Sequence, residues 1–153
     1  MIHQTWDAMN ISNLTPDDAL LVHKAQEATH LSYAPYSRFH VGAAVLLRGG
    51  IIVQGANQEN ASYPCGICAE RSALATAQNL YPDTPVLAIA LAALHEGDFT
   101  PDIVTPCGMC RQVIAETEQR YHTSIRIIMT SRSEAQIVPT INDLLPSSFA
   151  IKE

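Results

Sequence analysis

The sequence predicts an α/β domain with helices on both faces of one sheet. Three observations carry that reading. Val86-Leu87-Ala88-Ile89-Ala90-Leu91-Ala92-Ala93 is apolar without alternation, as a strand covered on both faces must be. The β-rich runs 41–47 and 51–55 flank Gly49-Gly50, which reads as a hairpin. Helical stretches separate the strands, so the layers are helices against a sheet.

Each element follows from local chemistry. Residues 1–13 show little periodicity and are expected to form a loose N-terminal extension, ahead of a single domain over residues 14–153. Thr15-Pro16-Asp17-Asp18 starts a helix, with a capping hydroxyl, Pro at the first helical position and acids in the first turn. Leu20, Leu21, Ala25, Ala28 and Leu31 give it an apolar face that Lys24 interrupts. Ser32-Tyr33-Ala34-Pro35-Tyr36 breaks it.

After the hairpin, Pro64-Cys65-Gly66-Ile67-Cys68-Ala69-Glu70-Arg71 enters a second, Ala-rich helix that runs to about Leu80 and stops at Tyr81-Pro82-Asp83. A polar loop over residues 95–105 leads to a third helix, from about Cys107 to Tyr121. Ile125-Arg126-Ile127-Ile128-Met129-Thr130 is a strand, and Ile137-Val138-Pro139 is a short edge strand, since an edge tolerates Pro. Leu144-Leu145-Pro146 ends the ordered tail.

Composition narrows the function classes. The 153 residues are 47% hydrophobic and 16% charged, which suits one globular domain. A net charge of −6 lacks the basic footprint of a nucleic-acid binder, so no nucleic-acid partner is expected. No apolar run reaches membrane-spanning length, and the first residues lack the regions of a signal peptide. The expected location is cytoplasmic. There, four Cys in two C-x2-C pairs suggest metal or redox chemistry before disulfides.

The pairs Cys65/Cys68 and Cys107/Cys110 allow two metal sites. One is a closed structural zinc site that uses all four thiolates. The gap of 38 residues between Cys68 and Cys107 is longer than the roughly 15–20 of a zinc ribbon, and it holds a helix and a strand. The other uses Cys68, Cys107 and Cys110 and keeps a fourth position open, as catalytic zinc does. Helix N-termini favour the thiolates. If the second helix aims its N-terminus at the metal, Glu70 reaches a zinc-bound water. Three thiolates leave Zn²⁺ with net negative charge, so Arg71 and Arg111 are candidates to draw charge from the sulfurs.

Cys68-Ala69-Glu70 with Pro106-Cys107-Gly108-Met109-Cys110 resembles the zinc deaminase signature. Ser37-Arg38-Phe39-His40-Val41-Gly42-Ala43-Ala44, Gly55-Ala56-Asn57-Gln58-Glu59-Asn60-Ala61-Ser62-Tyr63 and Leu144-Leu145-Pro146-Ser147-Ser148-Phe149 are similar to the small cytidine deaminases of homotetrameric type. The resemblance implies a three-layer α/β/α sandwich around a mixed five-stranded sheet and one Zn²⁺ per chain. It also implies hydrolytic deamination of cytidine and 2′-deoxycytidine to the uridines, in pyrimidine salvage. By the same resemblance, zinc-bound water deprotonated by Glu70 attacks C4 of the base. Phe39 packs on the base, the Ala69 backbone contacts its edge, and Asn57 and Glu59 bond the ribose hydroxyls. Ala61, Tyr63 and Phe149 reach into a neighbouring subunit's pocket, in a homotetramer that shares its pockets. Cys65 is not a ligand in that pattern and is expected to be a small buried hydrophobe.

Overall fold

The computed structural model describes residues 6–151, so expectations for residues 1–5 and 152–153 lie outside it. Among the described residues, seven strands form one sheet: β1 (Met9–Asn10), β2 (Phe39–Leu47), β3 (Ile52–Ala56), β4 (Val86–His95), β5 (Asp98–Phe99), β6 (Arg126–Thr130) and β7 (Glu134–Val138). Three helices pack on it: α1 (Pro16–Ala28), α2 (Ala69–Leu80) and α3 (Gly108–Tyr121). The strand order is β1-β7-β6-β4-β2-β3, with β5 folded back on the end of β4. β4 and β6 run parallel and the other pairs antiparallel, so the sheet is mixed.

Five strands are of ordinary length, as expected, and two more have only two residues each. A two-residue strand is too short to leave a period in the sequence. β1 pairs Met9 with Ala135 and Asn10 with Glu134, so this part of the extension is not loose. Gln136 also donates to the Trp6 carbonyl, and Trp6 packs on the core. β7 is therefore not the edge strand that Pro139 suggested, because β1 lies outside it. The polar loop after β4 likewise contains β5, turned on Glu96 and Gly97 at positive φ.

The two sheet faces carry separate cores. Leu21, Val22 and Ala25 of α1 pack on Ala44, Ala88, Ala90, Ala92 and Ile128. Ala73, Leu74 and Ala77 of α2, with Ile114 and Ala115 of α3, pack on Val45, Ile89, Leu91, Ile127 and Met129 of the other face. The three-layer α/β/α arrangement follows. Thr15 caps α1 by accepting from the Asp18 N–H, and Pro16 occupies the first turn. The buried stripe of α1 falls on Leu21, Val22, Ala25 and Ala28, whereas Leu20 and Leu31 are exposed.

Two glycines let the helices approach the hairpin closely. A Cβ at Gly42 would stand 2.0 Å from the Ala25 carbonyl oxygen of α1. One at Gly55 would stand 2.4 Å from the Ala73 nitrogen of α2. The second contact matters for function, because it seats the helix whose first turn carries Cys68, Ala69 and Glu70.

Candidate active site

Two helix N-termini bring three thiols together. Cys68 is the N-cap of α2, Cys107 is the N-cap of α3, and Cys110 lies in the first turn of α3. Neither N-cap thiol accepts a capping bond from the backbone N–H groups of its own first turn. Both are left to face each other, beside the unpaired N–H groups of two first turns. The Cys68 and Cys107 sulfurs are 3.7 Å apart, those of Cys107 and Cys110 are 3.5 Å apart, and all three lie within 4.8 Å of one another. Three sulfurs tetrahedral about one zinc at about 2.3 Å stand about 3.8 Å apart, so the spacing fits a zinc ion. Cys65 stays outside the group. It is exposed on the short turn Tyr63–Cys65 and not buried as expected.

The electrostatics also ask for a cation. The Cys68 thiol is drawn down to about 5, chiefly by a hydrogen bond from Cys110 and further by Cys107 and Arg71. The same contact pushes the Cys110 thiol up, because Cys110 gives its proton to that bond. Without a cation, three sulfurs in contact cannot share more than one full negative charge at little cost. Arg71 lies beside Cys68 and Cys110. Burial opposes its charge, but the neighbouring sulfurs outweigh it and hold the guanidinium more firmly protonated. Its Nε is buried without a hydrogen-bond partner among the described residues. Arg111 turns elsewhere, donating to the carbonyls of Pro106 at 2.8 Å and Leu144 at 2.9 Å.

Glu70 is 5% exposed, in the first turn of α2. Burial raises its carboxyl to about 7, and the charge of Cys68 adds to the shift. The carboxyl lines a cleft of about 460 Å³ together with Phe39, Asn57, Glu59, Tyr63 and Ala69, as well as Cys68, Arg71 and Cys107. Met109 stands at this cleft and is 63% exposed. Ala61 and Phe149 are exposed and do not line it.

The cleft wall is braced by hydrogen bonds from the turn after α1. Glu59 accepts from the backbone N–H groups of Tyr36 and Ser37, at 2.9 and 3.2 Å, and from the Ser37 hydroxyl. The Ser37 bond, first of these causes, holds the Glu59 carboxylate below its usual range. Ser37 in turn accepts from the Phe39 N–H at 3.0 Å. Asn57 accepts from the Val41 N–H and donates to the Phe39 carbonyl, so its side chain continues the ladder where β3 ends. The His95 ring sits 5.9 Å from that of Phe39. Nothing local in the sequence flags Ser32, Ser37 or His95, because their partners lie far along the chain.

A family model described as the cytidine and deoxycytidylate deaminase zinc-binding region matches residues 15–124. The chain belongs to the cytidine deaminase family. This is a family of enzymes, and its zinc-binding region spans all three clustered thiols. The cytidine deaminase of Halalkalibacterium halodurans is 37% identical over 138 residues, covering 90% of this chain and 97% of that protein. The crystal structure of cytidine deaminase from Burkholderia pseudomallei superposes with a TM-score of 0.75 at 34% identity, covering 89% of this chain and all of that one. That from Mycobacterium tuberculosis gives 0.71 at 33%, covering 90% and 100%. Cytidine deaminase architecture is thus the architecture of this sheet and its helices. Among the described residues, no helix is long and apolar enough to cross a membrane.

The buried carboxyl makes stability depend on pH. A carboxyl raised from 4.5 to about 7 binds its proton more tightly in the folded state. The contribution of Glu70 to stability is fully present below about pH 4.5, and up to about 3 kcal/mol of it is lost as pH rises through 7. In metal-stripped protein, Glu70→Gln removes this loss. Urea unfolding is expected to show the variant gaining on wild type by about 2–3 kcal/mol between pH 4.5 and pH 8. A constant difference across that range would contradict the buried, proton-holding carboxyl.

Proposed function

We propose that this chain hydrolyses cytidine and 2′-deoxycytidine to uridine and 2′-deoxyuridine with release of ammonia, a step of pyrimidine salvage. The observation that carries this reading is the buried Glu70 carboxyl beside three clustered thiols, at the floor of a cleft sized for a nucleoside. Cys68, Cys107 and Cys110 hold one zinc ion per chain. A zinc ion bound there would supply Lewis-acid activation of a water molecule.

The chain's own residues do the rest. Glu70, near 7 by burial, can both take and give a proton around neutral pH. Its carboxylate accepts a proton from the attacking water and delivers it to ring N3. It then carries the proton of the hydroxyl added at C4 to the amino group, which leaves as ammonia while C4 becomes a carbonyl. Arg71 draws negative charge from the sulfurs of Cys68 and Cys110, which keeps the metal electrophilic. Phe39 packs on the base, and the Ala69 backbone meets its edge. Asn57 and Glu59 bond the sugar hydroxyls. The Glu59 carboxylate, held ionised by Ser37, repels a 5′-phosphate and so favours nucleosides over nucleotides.

We further infer a homotetramer in which Ala61, Tyr63 and Phe149 complete a neighbour's pocket. Tyr63 and Phe149 are 77% and 72% exposed, so both rings are open to a neighbouring chain. Light scattering is expected to give about 66 kDa, four times the chain mass of 16.6 kDa. A mass of one chain would remove the shared pocket.

The reaction itself is tested by the loss of cytidine absorbance. Wild type with about one zinc per chain is expected to convert cytidine. Glu70→Ala, still holding zinc, is expected to fall by at least a thousandfold, as loss of a central proton carrier would cause. A zinc-loaded wild type that leaves cytidine untouched, or a Glu70→Ala variant of near-normal rate, would contradict the reading.

A further inference from the structure

We propose that Ser32 and His40 are positioning residues that fix the Asn57 carboxamide so that it offers the cleft one N–H donor and no acceptor. The proposal rests on the nucleoside reading above and deepens it. It assigns a task to two residues that touch neither the thiols nor the cleft.

The hydrogen positions follow from the partners. The Asn57 carboxamide lies between the Val41 N–H, at 2.8 Å, and the Phe39 carbonyl, at 2.9 Å. A backbone N–H only donates and a carbonyl only accepts, so Oδ1 faces Val41 and Nδ2 faces Phe39. The Ser32 hydroxyl is 2.5 Å from Oδ1, and Oδ1 has no hydrogen, so Ser32 donates. That uses the only hydrogen of the hydroxyl. His40 Nδ1 lies 3.1 Å from the same Oγ and must donate into it, which makes Nδ1 a protonated ring nitrogen.

The consequence falls on Asn57. Its Oδ1 carries two donors on two lone pairs. Its Nδ2 spends one hydrogen on Phe39 and, among the described residues, keeps the other without a protein partner. Asn57 lines the cleft, so that N–H is what a ligand meets there. It reads an oxygen acceptor, such as a sugar hydroxyl. Removing the Ser32 hydroxyl frees a lone pair on Oδ1 and leaves the amide held only by two bonds to β2. Removing the His40 donor lets the Ser32 hydroxyl turn away from Oδ1. Three segments converge here: the turn after α1, strand β2 and the residue after β3. A structural role alone would act on every substrate equally. Positioning acts only on substrates that carry the hydroxyl.

The test compares kcat/KM on cytidine and on 2′,3′-dideoxycytidine, which lacks both ring hydroxyls, using the zinc-loaded enzyme. Wild type is expected to favour cytidine. Ser32→Ala and His40→Leu are expected to lower kcat/KM on cytidine roughly five- to tenfold, mainly through KM, and to leave dideoxycytidine unchanged. Ser32→Thr keeps a hydroxyl and His40→Asn keeps an N–H near the Nδ1 position, so both should recover most of the loss. The two sites give independent readings should one variant fold poorly. Equal losses on both nucleosides, or no loss on cytidine, would overturn the positioning role. A wild type that does not distinguish the two nucleosides would instead remove the sugar-hydroxyl reading beneath it.

Discussion

The convergence of two helix N-termini organises this molecule. An N-cap residue normally spends its side chain on its own first turn. Cys68 and Cys107 cap no backbone N–H, and their sulfurs turn to each other at 3.7 Å with Cys110 alongside. Such a cluster is unstable as three thiolates and wasteful as three thiols, so it is built for a cation. The geometry depends on how α2 meets the sheet. The missing side chain at Gly55 lets Ala73 approach the β3 backbone, and this seats the first turn of α2. One turn from that contact lies Glu70, buried with a carboxyl poised near 7. Cys68, Glu70 and Arg71 all take their places from this one helix entrance, and α3 brings Cys107 and Cys110 to meet them.

A second constraint shapes the opposite wall of the cleft. The turn after α1 leaves Leu31, Tyr33 and Tyr36 exposed, so hydrogen bonds fix it. Glu59 holds one end through Tyr36 and Ser37, and Asn57 holds β2 at Phe39 and Val41. The same residues are the polar groups of the cleft. Asn57 and Glu59 therefore build the wall before any ligand arrives, and each carries only part of its bonding capacity into the cleft.

Some of this was legible in the sequence for definite reasons. The metal-ligand spacing and the carboxylate two residues after Cys68 are local, and both cysteine pairs start helices whose apolar runs are plain. Thr15-Pro16 and Gly49-Gly50 declared their turns because few residues tolerate those positions. β1 and β5 were hidden, since two residues make no pattern. Cys65 looked like a core thiol, yet the turn that follows Pro64 leaves it exposed. Arg111 follows Cys110 as Arg71 follows Glu70, but its side chain runs to the carbonyls of Pro106 and Leu144. Ser32, Ser37 and His40 acquire meaning only through partners brought by the fold, at separations no local motif records.

The proposed metal site is held by three thiolates, with Cys65 excluded and one position left for chemistry. X-ray absorption at the zinc edge of the purified chain tests it most directly. Three sulfur neighbours at about 2.3 Å and one oxygen or nitrogen near 2.0 Å are expected. Four sulfurs with no lighter neighbour would contradict it, making the site a closed structural one and leaving Glu70 without a task.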